Sequence, residues 1–373
     1  MTISKIKVTT ILGTRPEIIR LSTLLRKFDL IFDHRLIHTG QNSQDTLSKV
    51  FFDDLQLRAP DDFLAIDSKS LGGFLGDLFV KVEKEFTTNR PDAIVILGDT
   101  NSGLSGLIAR RMGIPIYHLE AGNRSFDPNV PEEVNRRVID HFSDFNLAYS
   151  HHARRNLLTE GIHPRFTSVI GSPMNEVVLE NIERMESSLI LKKLNIETNE
   201  YFLVSIHRQE NVDDSSRLES ILECLNLIAK SYDLPILVST HPRTRNKLQS
   251  QSLKIDNRVQ FLDPFGFFDY LSLQKNSRLV ISDSGSVSEE ASILGFRAVT
   301  IRNSMERPEA LESGNIVLSG IEPELVLKII EVVLNSPITQ SMPEEYAVKD
   351  TSSRVINFMI STFHEYRTWS GLR

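Results

Sequence analysis

Short apolar runs separated by segments of helical period recur along the whole chain. Runs rich in β-branched residues fall at 7–12, 35–38, 92–97, 115–120, 146–150 and 166–170, and the stretches 16–27, 71–86, 102–112 and 131–141 between them carry apolar residues at helical spacing. The same beat resumes at 201–206, 235–240, 259–262, 278–282, 298–301 and 316–319. Strand and helix in alternation predict an α/β protein with parallel sheets and right-handed crossovers. Twelve such strands are too many for one comfortable sheet, so the pattern predicts two. The break is expected between Gly171-Ser172-Pro173 and Asn199, with 174–194 read as one long helix and 195–199 as polar chain. A last helix over 354–366 gathers Val355, Phe358, Met359, Phe363 and Tyr366 on one side, an amphipathic pattern that predicts packing back onto the first domain. The expected organisation is a first domain over 1–171, a second over 172–352 and a terminal helix within 353–373.

Polar residues of a distinct kind stand where these strands end. The run 94–97 leads into Gly98-Asp99-Thr100 and the following strand into Glu120, so successive strands deliver carboxylates at their C-terminal ends. That edge of a parallel sheet is where α/β proteins bind ligands. The loop after Glu120 carries Arg124 and Asp127, and Pro131 opens a helix with Glu132 and Glu133. One of those two acids is expected only to satisfy the helix dipole. Arg136, four residues beyond Glu132, is placed to pair with it or to hold a phosphate. Leu12-Gly13-Thr14-Arg15-Pro16 ends the first strand, and its backbone N–H groups with Arg15 form a candidate anion site at a helix start, with Arg20 further along that helix. In the second half His207 and Arg208 follow one strand and His241 another. Ser284, Gly285 and Ser286 form a small-residue turn between a strand and a helix, a turn that lets backbone N–H groups approach a diphosphate. Glu290, about one turn into that helix, is placed to accept hydrogen bonds from ribose hydroxyls, and Arg307 adds a cation near the same mouth.

Composition acts mainly by exclusion. A net charge of −7 over 373 residues argues against a nucleic-acid partner, which needs a basic footprint. No stretch approaches the ~18 apolar residues of a spanning helix, and the first ten residues read as a strand and not as a signal peptide. No membrane contact and a cytoplasmic location are therefore expected. Cys224 is the only cysteine, which excludes an internal disulfide and a Cys-rich zinc site; its neighbours Leu222, Leu225 and Ile228 put it on a buried helix face. No GxGxxG follows the first strand, and GxxxxGK[ST], HExxH and a Cys/His ligand set do not occur. A nucleotide is expected, bound without a metal and without NAD.

Taken in order, Gly13-Thr14-Arg15-Pro16-Glu17, Gly98-Asp99-Thr100, Glu120-Ala121-Gly122, Pro131-Glu132-Glu133, His207-Arg208, Asp283-Ser284-Gly285 and Glu306-Arg307-Pro308-Glu309 resemble the non-hydrolysing UDP-N-acetylglucosamine 2-epimerase family over nearly the whole chain. Each motif is weak alone; the ordered set is specific. The resemblance implies two Rossmann-like domains in a GT-B arrangement with the active site in the interdomain cleft, and a homodimer. It implies Asp99, Glu120 and Glu132 as catalytic carboxylates, with His207 counted beside them. Arg15, Arg136 and His207 would lie near the diphosphate, and Ser284, Gly285 and Glu290 at the UDP site. Arg20, His241, Ser286 and Arg307 complete the expected substrate contacts. UDP is then part of the substrate and no cofactor is required.

The chain departs from the commonest family pattern. Arg20 stands where lysine is usual, Ser286 replaces a second glycine, and the loop from Glu120 to Pro131 looks shorter. The stretch 39–44 keeps Gln41 and Gln44, candidate allosteric contacts, but has Asn42 where many bacterial members have histidine, which counts against activation by UDP-N-acetylglucosamine. The wording of 15–22, 38–42, 51–55 and 123–137 is most similar to a sub-branch that makes UDP-N-acetyl-L-fucosamine by inverting C2 of the L-talo sugar nucleotide, for capsule or O-antigen. The alternatives are the UDP-N-acetylglucosamine to UDP-N-acetylmannosamine epimerase, a hydrolysing epimerase, a GT-B glycosyltransferase and a non-catalytic UDP-sugar sensor.

Overall fold

A computed structural model describes residues 5–41, 51–66, 70–240, 242–248, 254–337 and 341–371. The chain folds into two compact units, Met1–Leu179 with Val348–Arg373, and Glu180–Ala347. The sequence placed these boundaries at 171/172 and 352/353. Helix Met174–Glu180 stays with the first unit because Glu176 accepts the Ser352 amide at 2.8 Å and Lys27 Nζ at 2.9 Å.

Among the described residues, the first unit holds seven strands in the order β3-β2-β1-β4-β5-β6-β7. They are β1 (Lys7–Leu12), β2 (Asp33–His38), β3 (Asp62–Phe63), β4 (Ala93–Leu97), β5 (Ile116–Leu119), β6 (Phe145–Ala148) and β7 (Thr167–Val169). The second unit holds six in the order β10-β9-β8-β11-β12-β13: β8 (Phe202–Ser205), β9 (Ile236–Ser239), β10 (Val259–Leu262), β11 (Leu279–Ser282), β12 (Ala298–Thr300) and β13 (Val317–Leu318). Every pairing is parallel, with Thr10 opposite Val95 and Val280 opposite both Leu203 and Ala298. The short pair Asp62–Phe63 is a thirteenth strand that the hydrophobic pattern did not reveal, because two residues carry no period.

Both faces of each sheet are covered, which is why the strands read as continuous apolar runs without alternation. In the second unit Phe202 and Val204 face Ile221, Leu225, Val326 and Ile330, while Tyr201 and Leu203 face Val287, Ala291 and Tyr346. In the first, Ile94, Ile96 and Ile116 pack on Phe74, Leu78, Val82 and Phe86 of helix Leu71–Thr88. Cys224 lies in the second core, and burial pushes its thiol up to about 12, so it behaves as a small apolar side chain.

The stretch read as one helix over 174–194 is three short ones, Met174–Glu180, Ile182–Glu186 and Ile190–Leu194. Ser188 ends the run by bonding sideways to Asp269 at 2.5 Å and capping the Ile190 amide at 3.2 Å, a competition with helix that short hydroxyl side chains favour. Residues 102–112 likewise open as a 3-10 turn, Asn101–Ser105, before helix Gly106–Arg111. The last long helix, Thr351–Phe363, lies in the first unit, where Tyr117 Oη meets Thr362 Oγ1 at 3.0 Å and the Phe358 ring stands edge-on to Tyr117 and Phe145. Among the described residues no helix is long and apolar enough to cross a membrane.

Candidate active site

In a doubly wound sheet, ligands bind where strand order reverses, because neighbouring loops there run to opposite faces and leave a crevice. The first unit reverses between β1 and β4, and the second between β8 and β11. The loops at these two points carry Gly13 to Arg15 with Gly98 to Thr100, and His207 to Arg208 with Asp283 to Ser286.

At the first switch point three loops converge on Gly13. A Cβ there would lie 2.2 Å from both Thr39 Oγ1 and Ser102 Oγ, hydroxyls that bond each other at 2.7 Å. Only glycine fits. Gln41 Oε1 accepts from the Ser102 amide at 3.0 Å, so this candidate allosteric residue sits in the same knot; Gln44 lies outside the described residues. The turn amides of Gly13 and Thr14, expected to bind an anion, are already taken. Both donate to Glu17 Oε2, at 2.9 and 2.7 Å, as does Thr14 Oγ1 at 2.7 Å. This is the acidic half of a capping box. What remains for an anion is the half-buried Arg15 guanidinium, which lies over the Phe51 ring at 5.7 Å.

Glu17 is fully buried, and its other oxygen accepts from Thr100 Oγ1 at 3.1 Å, next to Asp99. Burial pushes its carboxyl up to about 7 from 4.5, against the lowering effect of those hydrogen bonds. A carboxyl raised on folding binds its proton more tightly in the native state, so the stability it lends is complete below pH 4.5 and is lost as pH rises through 7. At ~1.4 kcal/mol per unit the loss is about 3 kcal/mol. Glu17→Gln should flatten the stability profile in this window; thermal melts of the two proteins at pH 5 and 7.5 with equal slopes would refute the assignment.

Asp99 follows β4, and its Oδ2 meets Arg136 Nη2 at 2.6 Å. Glu120 follows β5 and bonds Asn123 Nδ2 at 3.3 Å, while Arg20 Nε stands 3.7 Å from its Oε2. Glu120 adopts a left-handed backbone, φ 64°, a strain of roughly 1–3 kcal/mol that surrounding structure must hold. Gly98, φ 68°, brings the two acid loops together: Glu120 Oε2 is 4.0 Å from where a Gly98 Cβ would stand.

The two acids of helix Pro131–Phe142 are engaged differently, and Glu133 does more than face the helix dipole. Glu133 is the structural one, accepting the Ser125 amide at 2.9 Å and pairing with Arg136 and Arg137. Glu132 makes no hydrogen bond or ion pair among the described residues. Arg136 therefore pairs with Asp99 and Glu133, not with Glu132. Arg124 is no part of an open mouth. It is buried, with Asp140 at 2.7 Å and Glu160 at 2.5 Å.

At the second switch point the fully buried Asp283 ties two strand ends together. It accepts the amides of His207 at 3.1 Å and Arg208 at 3.0 Å and the Asn211 side chain at 3.1 Å. This leaves the His207 ring at the surface, 45% exposed, with Nδ1 3.2 Å from Asp283. Across the turn, Ser284 and Ser286 share a 3.0 Å hydroxyl contact. A Cβ on Gly285 would stand 3.7 Å from both Arg208 Nη2 and Arg307 Nε and 3.3 Å from Glu306. Two guanidiniums thus flank the bare turn, geometry suited to a diphosphate. Glu306 bridges Arg208 at 3.2 Å and Arg302 at 3.1 Å. Glu290 is buried, with Gln274 Nε2 donating to its Oε2 at 2.6 Å, and Arg307 Nη1 lies 3.5 Å from Glu289. His241 lies outside the described residues. His118 and Asp140, buried beside the Gly98 and Gly122 turns, are not among the candidates read from the sequence; a polar residue inside an otherwise apolar strand, as His118 is in β5, was the available signal.

Two Rossmann-type units, each with charged side chains gathered at its switch point, give the fold class of GT-B proteins. The chain belongs to the UDP-N-acetylglucosamine 2-epimerase family, a family of isomerases, whose model matches residues 26–360. It is 38% identical over 338 residues to a UDP-N-acetylglucosamine 2-epimerase of Methanocaldococcus jannaschii, covering 88% of this chain and 92% of that protein. It is 32% identical to a UDP-2,3-diacetamido-2,3-dideoxy-D-glucuronate 2-epimerase of Pseudomonas aeruginosa, covering 95% and 99%. A crystal structure of a Methanocaldococcus jannaschii UDP-GlcNAc 2-epimerase in complex with UDP-GlcNAc and UDP superposes with a TM-score of 0.90 at 36% identity, over 95% of this chain and all of that one.

Proposed function

We propose that the protein inverts C2 of a UDP-2-acetamido sugar without hydrolysing it. The observation that carries this reading is the pair Asp99 and Glu120 at adjacent strand ends, each beside an arginine, with Glu132 unengaged nearby in sequence. The acids of the first unit suit proton transfer at C2 of a hexose, and the turn at Gly285 of the second, flanked by Arg208 and Arg307, suits a diphosphate.

The chemistry follows from the substrate. The C2 proton of an acetamido sugar is not acidic, but the C1 diphosphate is a good leaving group. Arg15, Arg136, Arg307 and His207 stabilise the charge as the C1–O bond breaks. Positive charge at C1 acidifies C2–H, a carboxylate takes that proton, and a 2-acetamidoglycal with bound UDP results. A proton delivered to the other face of C2 and return of the diphosphate oxygen to C1 give the epimer. Two faces call for two acid/base groups, for which Asp99, Glu120 and Glu132 are the candidates. No step of this elimination and re-addition moves a hydride, so the cycle requires no redox cofactor, and the arginines supply the cationic charge a metal would otherwise bring.

The proposed substrate is UDP-N-acetyl-L-talosamine, giving UDP-N-acetyl-L-fucosamine, on the wording of 15–22, 38–42, 51–55 and 123–137. The second reading, UDP-N-acetylglucosamine to UDP-N-acetylmannosamine, is favoured by the name of the Methanocaldococcus relative. Both sugars should be incubated with the protein in D₂O and followed by proton and phosphorus NMR. Deuterium entering C2 of one of them, with no net UDP released, is the expected result. Free sugar and UDP would mark a hydrolase, and UDP binding with no exchange a sensor. The homodimer implied by the resemblance is checked by light scattering.

A further inference from the structure

We infer that His118 is a positioning residue for the epimerisation proposed above, setting the spacing of Asp99 and Glu120 by clamping the peptide that precedes one to the strand that ends in the other. His118 lies in β5, two residues before Glu120, and its side chain is fully buried. Its Nε2 meets the Gly98 carbonyl at 2.8 Å. The Gly98 amide continues the sheet ladder to the Leu119 carbonyl at 2.9 Å, but the left-handed turn at φ 68° marks the end of β4. The carbonyl that turns off the strand needs a donor, and His118 supplies it. One residue on, Asn135 Nδ2 holds the Asp99 carbonyl at 3.0 Å and Arg136 holds its carboxylate. Asp99 is thus fixed at three points, one of them reaching from the Glu120 strand.

The other edge of the ring serves the Glu120 loop. Asp140 Oδ1 lies 3.0 Å from His118 Nδ1, out of line for a hydrogen bond, and the same carboxylate accepts the Gly122 amide at 3.2 Å. The strained Glu120 is therefore bracketed: His118 stands two residues before it and Gly122 two residues after, both against one buried acid. A histidine serving only as core filler would sit among apolar side chains. This one faces a carbonyl and a carboxylate that belong to the two acid-bearing loops and the helix beside them. Reacting groups need placement within a fraction of an ångström, and a slip of about 1 Å costs up to about 10²-fold in rate.

The test compares two amides of different reach. Gln at 118 can bring an N–H close to the Nε2 position and keep the bond to Gly98; Asn reaches only the Nδ1 position, towards Asp140. For His118→Asn, kcat and the rate of C2–H exchange into D₂O should fall about 10- to 100-fold, with KM and UDP affinity within about twofold of wild type. His118→Gln should recover most of the rate. Melting temperature and UDP calorimetry report folding for both. Equal kcat in the Asn and Gln variants, or a wild-type exchange rate in His118→Asn, overturns the inference. If the Asn variant does not fold, a Gln variant that folds, binds UDP and has lost its exchange does the same. Failure of the wild-type protein to exchange C2–H would instead sink the proposed reaction.

Discussion

Asp99→Asn and Glu120→Gln should each lose roughly 10²- to 10⁴-fold in turnover while still binding UDP. Both changes keep shape and remove the carboxylate's charge together with its capacity to take a proton. Asp99 keeps an oxygen to accept from Arg136, now 2.6 Å away, and Glu120 keeps one for Asn123. Arg136 retains Glu133 at 3.4 Å, so the buried cation is not stranded. Gly285, Arg208 and Arg307, proposed to hold the diphosphate, belong to the other unit and are untouched. The readouts are C2–H exchange in D₂O for chemistry and calorimetric titration with UDP for binding. An interaction used only in the transition state should lower kcat and kcat/KM together. Near-wild-type exchange in both variants would remove these carboxylates from the mechanism and turn attention to Glu132.

The position of a candidate residue was legible wherever it coincides with a strand end. An apolar run stops where the sheet meets solvent, so Asp99, Glu120, His207 and Ser284 could be placed at the ligand edge before any fold was known; the strand orders then put all but Glu120 on loops at a switch point, with Glu120 ending the next strand. Illegible features depend on which partner a polar side chain takes, near or far in sequence. Glu17 consumes the turn amides that looked free for an anion, a local competition hidden behind the plain pattern of a helix start. The choice between Glu132 and Glu133 turns on Ser125 and Arg137, which local spacing ranks no higher than other neighbours. Glu290 looked free to meet a ribose, yet Gln274 from a different helix already donates to it. The second of the two breaks in the stretch read as one helix over 174–194 falls at Ser188, whose hydroxyl bonds Asp269. Propensity and period report on a segment's average; these outcomes were decided by particular side-chain hydrogen bonds, some local and some tertiary.

The largest expected loss of stability is at Asp140→Ala, about 3–5 kcal/mol, the range for breaking a buried ion pair by removing one partner. Asp140 has no solvent exposure and makes several contacts at once. Its Oδ2 pairs with Arg124 at 2.7 Å, its carboxylate accepts the Gly122 amide at 3.2 Å, and its Oδ1 faces His118 at 3.0 Å. Alanine would leave a buried guanidinium with only Glu160 and the Asn123 carbonyl as acceptors. It would also orphan an amide at φ 84°, a position where a Cβ would come within 2.3 Å of the Ala153 carbonyl, so Gly122 has no room to shift towards another partner. Water cannot repay the loss cheaply, since Arg124 and His118 lie beneath the surface. Denaturant unfolding of wild type and variant, read at equal slope, measures the difference. A cost under ~1 kcal/mol, the range of exposed pairs, would show that the network is wet and that the strained Glu120 backbone is held by something else.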